Sequence, residues 1–360
     1  MVSSSRAHQP QGARPGASSS ELERLIDRYR PACLDELRSL LEERSIPPYT
    51  LMRYHLGWED REGRPVEGRS GKLLRPTLCL LSCEAVGGDW RSALPAAAAL
   101  ELLHNFTLIH DDVEDASRQR RGRETLWSLW GQPQAINAGD GMFALAHVAL
   151  LRLGSRGHPP ERVLEAVRML DEAALRLCEG QHRDLAYVEE PDITRQRYLE
   201  MVEGKTAALL AASGGIGALL GSGAAELSEA LHAFGRRLGL AFQIRDDLLG
   251  IWGDEQETGK PAGDDLRAGK KSYPVVVGLE RASPEERTAL LSLLARCERD
   301  DAAVQETRAL LERLGARQET ERAALEHAEA AIASLDGLSL EPERRRELEA
   351  LARFAAQRRS

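Results

Sequence analysis

Cysteine is scarce: the chain has five, Cys33, Cys79, Cys83, Cys178 and Cys297. An odd, widely spaced set excludes a disulfide scaffold. Cys79 and Cys83 are four apart, but no Cys or His partners follow to complete a zinc set. Aromatic residues make up only 4%, which disfavours an all-β domain. Long apolar runs are missing. The longest low-polarity stretch, residues 207–220, holds a serine and three glycines and is too short to span a bilayer. No apolar stretch near the N-terminus reads as a signal peptide. A basic surplus is also absent: 48 Lys and Arg stand against 57 Asp and Glu, a net charge of −9. That balance argues against general nucleic-acid binding. The expectation is a cytoplasmic protein with no membrane span and no nucleic-acid partner.

What remains is ordinary globular material, 360 residues with 42% hydrophobic and 29% charged. Residues 1–20 are rich in Ser, Pro, Gly, Ala and Gln, and read as a disordered tail whose partner, if any, is unknown. From Glu21 the pattern is helical. Leu22, Leu25, Ile26 and Tyr29 recur at helical spacing, as do Leu100, Leu103, Phe106 and Ile109. Residues 192–212, 225–249 and 302–314 repeat the pattern, with breakers at Gly87-Gly88, 154–160, 253–269 and 337–342. The valines of residues 274–279 read as a helix start. The spacing predicts one all-α helical-bundle domain over residues 21–360.

The sharpest local signal is His110-Asp111-Asp112-Val113-Glu114-Asp115. On a helix, Asp111 and Asp115 share a face, roughly 40° apart and about 6 Å along the axis. Close carboxylates repel by about 4 kcal/mol per pair at an effective dielectric near 20. Hard divalent cations resolve that repulsion, and all-oxygen donors suit Mg²⁺. A solvated acidic turn is an equal reading for this segment alone. A second pair, Asp246-Asp247, follows another apolar helical run in Gln243-Ile244-Arg245-Asp246-Asp247. Two such helices facing across a core suit several Mg²⁺ ions around one diphosphate. Cations accompany them: Gly71-Lys72-Leu73-Leu74-Arg75-Pro76, Arg120-Arg121-Gly122, Gly204-Lys205-Thr206, Gly259-Lys260 and Gly269-Lys270-Lys271. Lys205 does not belong to a P-loop, because Leu199 stands where that loop needs glycine. Gly215-Ile216-Gly217 lacks the spacing and βαβ context of a dinucleotide fingerprint.

In this order the motifs resemble the trans-type isoprenyl diphosphate synthases, or polyprenyl synthetases, from about Gly71 to Pro274, with His104, Gly139-Asp140, Gly180-Gln181 and Asp184 included. The resemblance implies head-to-tail condensation of isopentenyl diphosphate with an allylic diphosphate by a homodimer. It implies Asp111, Asp112 and Asp115 as ligands of two Mg²⁺ ions, and Asp246 as main ligand of a third, supported by Asp247. Arg120, Lys205 and Lys270 would hold the allylic diphosphate, with Lys260 assisting. Lys72, Arg75, His104 and Arg121 would hold isopentenyl diphosphate. Thr206, Gln243 and the Lys205 carbonyl would stabilise the carbocation. Phe106, five residues before Asp111, would floor the chain pocket beside Thr107 and Leu103, with the neighbouring helix completing it. One aromatic there resembles C20-forming members, with C15 the alternative. The basic set disfavours a class I terpene cyclase, and the retained aspartates disfavour a non-catalytic partner subunit. One departure stands out: Gly250 replaces the third Asp that many members carry, and Asp254 is not assumed to take its place.

Overall fold

Start signals recur along the chain and fix where helices begin. Ser283 forms a capping box with Glu286, Asp300 and Glu341 cap the helices after them, and prolines occupy first-turn positions. The structure is a computed structural model that describes residues 19–42, 44–66, 71–188, 190, 192–254 and 262–358.

Sixteen α-helices run through the described residues. The first ten are α1 (Ser19–Leu41), α2 (Pro47–His55), α3 (Leu74–Ala85), α4 (Leu94–Glu114), α5 (Leu126–Trp130), α6 (Gln132–Leu151), α7 (Pro160–Tyr187), α8 (Arg195–Val202), α9 (Ala208–Ser222) and α10 (Ala225–Trp252). Then follow α11 (Asp264–Arg267), α12 (Tyr273–Arg281), α13 (Pro284–Leu294), α14 (Asp301–Arg313), α15 (Ala316–Ala333) and α16 (Pro342–Gln357). The all-α expectation holds, and residues 274–279 are helical, as their leading proline suggests. Among the described residues the exceptions are a two-residue ribbon, β1 (Gln119–Arg120) with β2 (Arg123–Glu124), and an isolated bridge between Glu59 and Pro65. The ribbon falls on the basic Arg120-Arg121-Gly122 motif, and two residues per strand leave no alternation to read. Helix α1 begins two residues before the expected Glu21. Residues 1–18 of the proposed tail lie outside the described residues.

Helices α4, α9 and α10 build the centre. Every residue of α9 from Ala208 to Leu220 is buried. Its small residues allow backbone approach: a Cβ on Gly217 would meet the Cys79 carbonyl at 2.1 Å, and one on Gly214 the Leu231 carbonyl at 2.2 Å. Helices α3 and α10 therefore lie directly against α9, while α6 lies against α4. The apolar part of the run Trp90–Glu114 satisfies the length and composition of a membrane span, yet 78% of it is buried within the protein. It is a core helix whose last turn carries acids.

Candidate active site

Helix α4 descends through the buried Ala96–Ala99 and Leu100 and ends on its aspartates. Asp111 is half-buried, and its carboxyl is pushed up to about 6. Burial is the main cause; Lys205 opposes it and Asp115 adds to it. Asp112 is buried and accepts a 2.8 Å hydrogen bond from Arg120 Nε. Asp115 is the exposed C-cap of the helix.

The second cluster divides its labour. Asp246 is exposed and pairs at 2.7 Å with Arg358, just past α16. Asp247 points inward. It accepts from the Tyr198 hydroxyl, from the Tyr273 backbone N–H at 2.7 Å and from Gln243 Nε2 at 2.9 Å. Burial, then the charge of Asp265, raise its carboxyl to about 7. Gln243 Oε1 in turn accepts from Thr206 Oγ1 at 2.9 Å. Asp247 therefore fixes Gln243 and, through it, Thr206, with Oδ1 taken by Gln243 and Oδ2 by Tyr198 and Tyr273.

Lys205 and Thr206 sit on a π-helical turn, Glu203–Ala207, between α8 and α9. Such turns widen the helix and re-aim side chains, often at functional sites. The sequence pattern over residues 192–212 shows continuous helix and misses this turn. Gly180 explains how the turn is reached: its Cβ would lie 2.1 Å from Lys205 N, so only glycine lets α7 pass. Lys205 Nζ pairs with Asp184, and Gln181 donates to Glu114 at 2.6 Å.

The remaining cations come from two strained turns. Leu73, inside the Gly71–Pro76 motif, has φ 52°, and Arg121 has φ 52° beside Gly122 at 75°. The latter pair makes the two-residue hairpin turn. Non-glycine residues in this region store strain, which clusters at functional sites. One cavity of about 850 Å³ is lined by Lys72, Arg75, His104 and Arg121 together with Asp112, Arg120, Thr206, Gln243 and Asp246. Burial lowers the Lys72 ammonium, with Arg358 adding to it, and brings Arg75 down to about 10. Arg75 Nε is buried without a hydrogen-bond partner. Burial, then the nearby Arg75, holds His104 well below an ordinary histidine, so the imidazole is neutral.

Lys270 is exposed, 3.9 Å from Asp265. Burial of its charge works against ionisation, but Asp265 and then Asp184 hold its ammonium above the ordinary value. Lys260 lies outside the described residues. Phe106, Thr107 and Leu103 do not line the cavity. Phe106 instead stacks on Phe143 of α6, with ring centres 5.3 Å apart, while Leu103 and Thr107 are buried. The face of α4 that carries Phe106 is turned toward α6, as its 140° offset from Asp111 requires. Among the described residues no three His, Cys, Asp or Glu side chains converge to hold a cation unaided. The acids are separated by pairing with Arg and Lys.

Sequence reasoning missed Arg358, Tyr198, Tyr273, His55 and Glu101. His55 lines the cavity, and burial, then Arg120, lowers it to about 3. Glu101 is buried beneath Arg75 and accepts from Asn105 at 3.1 Å. Only Glu101 left a trace in the pattern, as an acid inside an apolar helix.

Residues 65–311 match the family described as polyprenyl synthetase. A (2E,6E)-farnesyl diphosphate synthase of Mycobacterium tuberculosis is 48% identical over 62% of this chain, and the match spans 61% of that relative's length. A geranylgeranyl diphosphate synthase of the same species is 42% identical over 86% of this chain and 88% of its own. A crystal structure of polyprenyl synthetase from Streptomyces coelicolor superposes with a TM-score of 0.86 at 38% identity, covering 93% of this chain and 99% of that one. A geranylgeranyl pyrophosphate synthase from Corynebacterium glutamicum, complexed with isoprenyl diphosphate and magnesium, gives 0.79 at 28% identity, covering 94% and 99%. The chain belongs to the polyprenyl synthetase family.

Proposed function

We propose that this polyprenyl synthetase condenses isopentenyl diphosphate head to tail with an allylic diphosphate, giving a short trans-prenyl diphosphate of C20. The single observation that carries the reading is the cavity. It gathers Lys72, Arg75 and Arg121, the last two around the buried Glu101, and with them Arg120 and Arg358 paired to the two acidic clusters. That is room for two polyanions in two electrostatic settings.

Lys72, Arg75, His104 and Arg121 hold isopentenyl diphosphate. The buried, unpartnered Arg75 Nε and the neutral imidazole of His104 are donors waiting for an anion. Arg120, Lys205 and Lys270, with Lys260, hold the allylic diphosphate. The donor set of Asp111, Asp112, Asp115 and Asp246 is all carboxylate oxygen, which fits Mg²⁺, and we assign three ions. Held by these residues, Mg²⁺ would supply neutralisation of the charge developing on the leaving diphosphate. The allylic carbon–oxygen bond then breaks, leaving an allylic cation and free diphosphate. The Thr206 hydrogen is given to Gln243, so the hydroxyl lone pairs, with the Gln243 oxygen and the Lys205 carbonyl, face the cation. The alkene of isopentenyl diphosphate attacks, and the departed diphosphate accepts the proton lost from the new chain.

The C20 assignment draws on the geranylgeranyl relative that matches most of the chain. The farnesyl relative, more identical over less, favours C15 as the second reading. The apolar side chains exposed on α6 and α7, Leu151, Leu164 and Leu175 among them, support a homodimer through that face. Free cysteines support a reducing, cytoplasmic setting, and we assign one catalytic domain to residues 21–360. The test is a product assay with Mg²⁺, isopentenyl diphosphate and dimethylallyl, geranyl or farnesyl diphosphate, against an EDTA control. A metal-dependent C20 product is expected. No elongation from any primer, in folded protein, refutes the reaction.

A further inference from the structure

The turn that carries Arg121 needs support from outside its own ribbon. Each strand has two residues, and a two-stranded hairpin is marginal in water by itself. The register adds a difficulty. Arg120 and Arg123 are directly opposed, and like charges opposed across a ladder repel. The two side chains are held on different elements. Arg120 Nε donates to Asp112 of α4 at 2.8 Å. Arg123 binds the end of α2. Its Nη1 donates to the Tyr54 carbonyl at 2.9 Å, and its Nη2 to the Glu59 carbonyl, just past the helix, at 2.7 Å. Its guanidinium also lies 4.0 Å from the centre of the Tyr54 ring. A cation suits that place, since the last carbonyls of a helix have no partners within it. The tie is returned: the Tyr54 hydroxyl donates to the Glu124 carbonyl at 3.0 Å. Tyr54 in turn packs edge-on against Trp130, with ring centres 5.1 Å apart. Two charge-assisted hydrogen bonds and a cation–π contact outweigh one repulsion between partly solvated arginines. Strand β1 is thus fastened to α4 and β2 to α2, so the turn between them is fixed from both flanks. It brings the Arg121 guanidinium against Gly71, where a Cβ would lie 3.0 Å from Arg121 Nη2.

We propose that Arg123 is a positioning residue for isopentenyl diphosphate: by fastening β2 to the end of α2 it presents Arg121 to that substrate without touching it. The inference rests on the assignment of Arg121 to isopentenyl diphosphate above. Arg123 borders the cavity, but both of its terminal nitrogens are engaged by main-chain carbonyls. Arg120, assigned to the allylic diphosphate, has its own anchor in Asp112, so the clamp acts on one substrate and not the other.

The test is steady-state kinetics of the full chain with Mg²⁺, varying isopentenyl diphosphate at saturating geranyl diphosphate and then the reverse. Arg123→Met keeps an apolar stem beside Tyr54 and removes both donors. It should raise KM for isopentenyl diphosphate about tenfold, while kcat and KM for geranyl diphosphate stay within about twofold. Arg123→Lys, which can reach only one of the two carbonyls, should fall between parent and Arg123→Met. In an Arg121→Gln background Arg123→Met should add less than about twofold, because its effect runs through Arg121. Circular dichroism checks folding, and if Arg123→Met does not fold, Arg123→Lys in both backgrounds decides. An unchanged KM for isopentenyl diphosphate, an equal rise in both KM values, or an undiminished rise on top of Arg121→Gln overturns the inference. If Arg121→Gln itself leaves that KM unchanged, the inference falls with the Arg121 assignment while the condensation stands. No elongation by the parent protein refutes the condensation, and the inference with it.

Discussion

Replacing Arg358 by Gln should strengthen divalent-cation binding at Asp246. The Arg358 guanidinium lies 2.7 Å from Asp246 Oδ1 and 3.8 Å over the Phe242 ring. Its main-chain oxygen accepts from Arg245 Nε at 2.7 Å. Arg358 is 5% exposed and well anchored, whereas Asp246 is 51% exposed. A cation arriving at Asp246 must displace this pairing or share the carboxylate with a like charge. At about 4 Å and an effective dielectric near 20 the pair is worth about 4 kcal/mol. Solvent around Asp246 reduces that toward the surface-pair value of about 1 kcal/mol. Arg358→Gln keeps a polar, if shorter, side chain and removes the charge, so the gain should be about threefold to tenfold in affinity. Isothermal titration with Mn²⁺ and inorganic diphosphate reads it directly, and the gain should shrink as salt is raised. Unchanged or weaker Mn²⁺ binding, in a variant with the parent's melting curve, refutes the reasoning.

Asp111→Ala and Asp246→Ala should each cut turnover by at least a hundredfold, with circular dichroism unchanged; near-normal steady-state rates in both would remove the metal assignment. The Asp111 carboxyl, raised to about 6, must be ionised to bind a cation. Its raised value makes the protonated form accumulate as pH falls through 6, so metal affinity should drop about tenfold per unit below that; a flat Mn²⁺ titration between pH 5 and 7 contradicts this. Phe106→Ala and Phe143→Ala should both lengthen the product, because the two rings back each other across α4 and α6. Chromatography of extracted products shows it, and an unchanged chain length in both places the floor elsewhere.

The helices and the paired carboxylates were legible because both rest on local spacing. Asp111 and Asp115 share a face by helix geometry alone, and the pattern of α9 needs only its apolar residues. Three features were not legible, and each is non-local. Arg358 reaches Asp246 from 112 positions away, at a chain end that carries no motif. Tyr198 and Tyr273 meet on Asp247 from two other helices. The π turn at Glu203–Ala207 alters hydrogen bonding without altering periodicity. The direction of Phe106 was half legible: its angular offset pointed away from Asp111, and the structure adds Phe143 as what it meets.

The pairings across the site share one logic. Asp112 faces Arg120, Asp184 faces Lys205, Asp246 faces Arg358, and Asp265 faces Lys270. In each pair the acid or the cation is a group that the proposed reaction recruits. Partly buried like charges would otherwise destabilise the cavity, since an uncompensated charge out of water costs several kcal/mol. The protein thereby holds its acids and its cations as mutual counter-ions. A diphosphate alone would take the cations and strand the acids. A divalent cation alone would take the acids and strand the cations. Only the two together exchange four internal pairs for an equal number of external ones. The same sequence that packs the charges safely therefore favours joint entry of metal and diphosphate, and the apolar Leu108 of α4 and Phe242 of α10, which line the cavity, would help keep water from the allylic cation of the proposed reaction.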